Sequence, residues 1–155
     1  MLDKVEREKE MIICQKAVNT FGAAIQQVVA MEELAELISA LSSELKNESN
    51  NIEEETADVE IMCLQLRLMY GSSKVDEAHE NIYEFNGTGL IELTIKRCAL
   101  LQQSISKSLR DKQNDSIFWN IALVENSCRA LRKEFNGTEI EEIKQAKLER
   151  LKGVV

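Results

Sequence analysis

Two pairs of carboxylates are spaced to act together. Glu33-x-x-Glu36 lies within Met31–Leu37, and Glu55-x-x-Asp58 within Glu53–Val59. Residues three apart on a helix share a face, so each pair can aim both acids at one spot. Two such helices side by side make an all-oxygen pocket, which suits Mg2+ or Mn2+ and, with either ion, phosphate-bearing substrates. A chain with 27 acidic residues also generates such pairs as solvated faces. The neighbours of the second pair argue otherwise. Val59, Met62, Leu66 and Met69 form an apolar stripe; Glu55 precedes Val59 and Met62 by four and seven residues, and Asp58 precedes Met62 by four. Burying two carboxylates without partners is costly, so this placement calls for a cation or a raised pKa. Thr56, Glu60 and Arg67 are expected on the opposite, wet face. Around the first pair, Leu34, Ile38, Leu41 and Leu45 supply the core stripe; Glu33 borders it and Glu36 sits further round.

Other metal chemistries lack their ligands. Carboxylate-bridged di-iron bundles need Glu-x-x-His twice, and the one histidine, His79, forms a single Asp76-x-x-His79 match. It is read as a surface or helix-end residue. Zinc would want Cys or His ligands. Cys14, Cys63, Cys98 and Cys128 are far apart, each inside an apolar-periodic segment, and are expected to be reduced core residues. With no phosphate-binding G-x-x-x-x-G-K-[S/T] loop and no G-x-S-x-G, phosphate chemistry here would rest on metal ions.

The elements that must position these acids are helical. The 155 residues contain no proline and only six glycines, while Glu, Lys, Leu, Ala, Ile and Gln abound. The expected fold class is all-α, an antiparallel helical bundle forming one domain over 1–155. Punctuation and periodicity place helices at 3–20, 24–46, 52–70, 75–85, 89–112, 116–135 and 139–152. Asn47–Asn51 and Gly71–Ser73 read as polar turns. Glu-Phe-Asn-Gly-Thr occurs at 84–88 and again at 134–138, where Asn-Gly suits a helix end and Thr the next N-cap.

A weaker self-similarity runs at an offset of 65: Val59-Glu60, Cys63, Leu66-Arg67 and Tyr70 match Val124-Glu125, Cys128, Leu131-Arg132 and Phe135. It suggests two related halves, an acidic metal-binding one over about 1–85 and a degenerate one over about 86–155. In that register Asn120 and Leu123 stand where Glu55 and Asp58 do, leaving one metal site per chain.

The net charge of −8 argues against a nucleic-acid partner, which demands a dense Lys/Arg surface. No apolar run has the length of a membrane span, and Met1–Glu6 lacks the apolar stretch of a signal peptide, so the protein is expected to be cytoplasmic.

Glu32-Glu33-x-x-Glu36 followed after 18 residues by Glu55-x-x-Asp58 resembles the signature of the all-α nucleotide pyrophosphohydrolases, the MazG-like and dimeric dUTPase group. Glu54–Met62 is similar to the second motif of small MazG-like proteins, and Ile143–Leu151 to their closing segment. The likeness covers about 26–70 and 140–152, and residues 86–137 look like extra helices. It implies that Glu33, Glu36, Glu55 and Asp58 are Mg2+ ligands (Mn2+ serving also) and catalytic acids, with Glu32 auxiliary. Lys147 and Arg150 would face the phosphates of a nucleoside triphosphate, hydrolysed to monophosphate and pyrophosphate, in a homodimer. Trp119 and Phe21 could stack on a base, though core positions suit both. The competing expectation is a non-catalytic helical regulatory or adaptor module that keeps the acids and binds a protein partner.

Overall fold

The computed structural model describes residues 3–110 and 114–155, and all regular structure among them is helical. The helices are α1 (Lys4–Phe21), α2 (Ala23–Leu45), α3 (Ile52–Tyr70), α4 (Ser72–His79), α5 (Leu90–Leu109), α6 (Ile117–Glu134) and α7 (Gly137–Val154). None is long and apolar enough to cross a membrane.

The bundle is organised around α3, which starts and ends where the sequence places it. Asn47 takes a left-handed conformation (φ 56°) in the preceding turn, and the Asn50 side chain accepts from the Ile52 backbone N–H at 3.2 Å. Helices α1, α2, α6 and α7 all pack against α3. The expected wet face is therefore absent. Thr56 is fully buried, Arg67 is 3% exposed, and Glu60 is tied to Arg132. This side of α3 is covered by α6, whose Glu125 and Arg132 supply the charges that let Arg67 and Glu60 leave water.

Helix α4 also departs from expectation, running Ser72–His79 rather than 75–85. Gly71, at φ 129°, turns the chain so that the helix restarts one residue later. Past His79 the chain leaves the helix, and Ile82 and Phe85 pack on the core from a loop. The first Glu-Phe-Asn-Gly-Thr copy lies in that loop, so Gly89 rather than Thr88 caps α5. In the second copy the Asn136 side chain accepts from Glu139 N–H, and Asn136 rather than Thr138 is the N-cap. Gly137 is needed for space: a Cβ there would sit 2.7 Å from the Arg132 carbonyl oxygen. Helix α5 ends at Leu109; of the residues expected to continue it, 111 and 112 lie outside the described residues.

His79 does end α4, but it is not a surface residue: its Nε2 lies 2.8 Å from Glu125, with both side chains mostly buried. The four cysteines are buried free thiols, and burial pushes Cys14 and Cys98 up to about 12. Phe21 and Trp119 are 42% and 41% exposed, correcting the expectation of core positions.

Candidate metal centre

Packing α2 against α3 brings the apolar stripes of both helices together, with Leu34, Leu37, Leu41, Val59, Met62 and Leu66 in one core cluster. Acids bordering those stripes are carried to the seam. Glu33, Glu55 and Asp58 each present a carboxylate oxygen within 4.8 Å of the others. Glu55 is 7% exposed, Glu33 and Asp58 are half-buried.

These acids are poorly compensated. Glu33 Oε2 and Glu55 Oε2 are buried without a hydrogen-bond partner among the described residues. Glu55 Oε1 accepts from Asn51 Nδ2 at 2.5 Å, and Asp58 Oδ2 accepts from Lys147 Nζ at 2.6 Å. Burial, followed by the charges of Asp58, Glu36 and Glu55, pushes Glu33 up to about 7. Burial also takes Glu55 to about 7, against the Asn51 bond and with help from Glu36 and Asp58. Burial raises Asp58 as well, with Lys147 pulling the other way. For Lys147, burial would lower the ammonium, but Asp58 and Glu54 overcome it and raise it.

The two helical pairs do not contribute alike. Glu55 and Asp58 both enter the cluster, whereas from α2 only Glu33 does. Glu36 is exposed and outside the trio, near enough for its charge to act on Glu33 and Glu55. One turn of α2 places Glu33 over the seam; the further 300° of rotation to Glu36 carries it past the edge toward solvent. Glu32 is likewise exposed. Lys147 arrives from α7 and reaches both Asp58 and Glu54, while Arg150 is exposed. Sequence reasoning missed Asn51, whose signal is its position four residues before Glu55, at the point where α3 begins.

The donor set fits a hard divalent cation. Three carboxylates less one ammonium leave a formal charge of −2, and two of the oxygens have no other partner among the described residues. A small cavity of about 90 Å3 lies elsewhere, between α3 and α6, lined by Glu60, Cys63, Glu125 and Cys128 among others, and touches none of the trio. Comparison with known protein families, curated proteins and solved structures finds no match to this chain.

Proposed function

We propose that the chain is a Mg2+- or Mn2+-dependent nucleoside triphosphate pyrophosphohydrolase. The observation that carries the metal part is the pair of buried, unpartnered carboxylate oxygens converging in the trio, since an uncompensated acid cluster is costly and a cation removes the cost. The nucleotide part rests on the motif resemblance. Glu33, Glu55 and Asp58 would hold the cation, with Glu36 as a fourth acid at the exposed rim. Bound there, the cation would neutralise phosphate charge and lower the pKa of a water molecule.

The chain's own residues supply the rest. In the metal-free cluster burial and the neighbouring acids push Glu33 and Glu55 up to about 7, so whichever is not committed to the metal is matched, as its carboxylate, to accepting a proton from the attacking water. The water oxygen forms a bond to the α-phosphorus, the bond from that phosphorus to the bridging oxygen breaks, and pyrophosphate leaves. Lys147 provides fixed positive charge beside Asp58, and Arg150 a second cation toward solvent, both suited to phosphate oxygens.

The test is pyrophosphate release from a panel of canonical and modified nucleoside triphosphates, with Mg2+, Mn2+ or EDTA, on wild type and Asp58→Ala. Metal-dependent turnover, reduced on the order of 100-fold or more in a variant of unchanged helicity, is expected. Folded wild-type protein with no turnover on any nucleotide would refute the enzymatic reading in favour of the adaptor module.

A further inference from the structure

The ion pairs between α3 and α6 come in reciprocal sets. Arg67 of α3 grips Glu125 of α6 through Nε and Nη2 at 2.7 and 2.8 Å; Arg132 of α6 grips Glu60 of α3 through the same atoms, both at 2.7 Å. Positions 60 and 67 become 125 and 132 on adding 65. The same shift relates Arg67–Asp76 (2.8 Å) to Arg132–Glu141 (2.7 Å), and His79–Glu125 (2.8 Å) to Lys144–Glu60 (3.6 Å). In each cross-helix pair, a residue of one segment meets the counterpart of its partner's position in the other, which is how a two-fold interface is built.

Burial follows the same rule. Ile52, Ala57, Val59, Cys63 and Leu66 are buried in α3, as are Ile117, Ala122, Val124, Cys128 and Leu131 in α6. The buried residues of α2 are Gln26, Ala30, Leu34, Leu37, Ala40 and Leu41; those of α5, Leu90, Thr94, Cys98, Leu101, Ser104 and Ile105, stand 64 positions later throughout. The offset changes from 64 to 65 because the α5–α6 connection is one residue longer than the α2–α3 connection. Shared helical periodicity can produce matching stripes, but it does not produce matching ion-pair partners. Packing agrees too, with α7 lying on α3 and α4 on α6.

We infer that α2–α4 and α5–α7 are two copies of one helical unit packed about an internal two-fold, and that the chain completes its acidic pocket by itself, as a monomer. The pocket spans the two units, with acids from α2 and α3 of the first and Lys147 from α7 of the second. Its counterpart has been closed. By the same offsets Arg97 stands for Glu33, Leu100 for Glu36, Asn120 for Glu55 and Leu123 for Asp58. Arg97 Nη1 donates to the Leu123 carbonyl, Asn126 and Ser127 at 3.3, 2.9 and 3.0 Å, and Asn120 donates to Ser104 Oγ at 2.6 Å, so these groups are satisfied without a cation. Helix α4 stops at His79, and the position equivalent to Lys147 is Ile82, in the loop. A single chain thus replaces the homodimer that the motif resemblance implies.

The duplication stands on geometry alone; the self-completed single pocket, and the monomer that follows from it, rest on the metal reading above. Sedimentation equilibrium over a wide range of concentrations should return one chain, 17.6 kDa, with or without Mn2+; a dimer overturns the inference. The variant Asp76→Glu/His79→Lys copies the ion pairs of the second unit into the first, and should keep its thermal midpoint within about 2 °C of wild type; a fall of about 10 °C or more overturns the equivalence. Arg97→Glu/Asn120→Glu/Leu123→Asp, if it folds, should bind Mn2+ at one more site per chain than wild type, and folded protein with no added binding overturns the closed-pocket assignment. Wild type that binds no Mn2+ would defeat the metal reading, while the midpoint would still decide the duplication.

Discussion

Replacing Glu55 by Gln should stabilise the metal-free protein at alkaline pH. Two unit charges 4.8 Å apart, the limit for the trio, repel by about 3 kcal/mol at an effective dielectric of about 20. The pKa displacement agrees in scale, since a carboxyl moved from 4.5 to about 7 costs about 3 kcal/mol once fully ionised. Water at the Glu36 rim screens part of this, leaving about 1–2 kcal/mol. The sign follows from linkage. A group whose folded pKa is raised contributes stability that is complete below its unfolded pKa and is lost as pH rises through the folded value, so for Glu55 and Glu33 the loss runs from about 4.5 to beyond 7. Gln keeps an oxygen to accept from Asn51 and places an uncharged amide among the remaining acids. Thermal midpoints in EDTA should fall for wild type between about pH 5.5 and pH 8.5, and fall less for Glu55→Gln. At the higher pH the variant should melt about 3–6 °C above wild type. Adding Mg2+ should raise wild type and leave the variant nearly unmoved. A variant less stable than wild type in EDTA at the higher pH would show that the Glu55 carboxylate is a structural asset, and would refute the argument that the trio awaits a cation.

Three further substitutions, one with a paired control, test the packing and the site. Gly137→Ala should cost about 1–3 kcal/mol in urea unfolding, because its Cβ meets the Arg132 backbone oxygen at 2.7 Å, while Gly153→Ala, with nothing within 4 Å, should cost nothing measurable. Arg67→Met should cost about 3–5 kcal/mol by the same assay, since it leaves Glu125, whose side chain is 13% exposed, with His79 as its one remaining charged partner among the described residues. Lys147→Met removes the Asp58 ion pair; pyrophosphate release should fall by on the order of 10- to 100-fold with the helical circular dichroism retained, and unchanged turnover would exclude Lys147 from the site.

What the sequence determined by itself is local. Absence of proline, the spacing of apolar residues and the polar turn at 47–51 sufficed to delimit α3 as 52–70, because each depends on backbone geometry within a few residues. The same periodicity put Glu55 and Asp58 beside the apolar stripe, where the structure finds them. Periodicity also overextended: Ile82 and Phe85 look like further turns of α4, yet the chain leaves the helix after His79 and seats both from a loop.

Only the tertiary structure decided which faces are wet and which charges stand opposite each other. Thr56, Glu60 and Arg67 read as a solvated face because nothing near them in sequence announces α6, which covers them with Glu125 and Arg132. Glu33 and Glu36 are the same residue type, three apart on α2; the line of contact with α3 takes the first into the cluster and leaves the second in water. Lys147 meets Asp58 across 89 residues of chain because α7 folds back onto α3. Helix spacing fixes what one element can present to its surroundings, whereas burial and electrostatic partnership belong to pairs of elements and are settled only when distant segments pack.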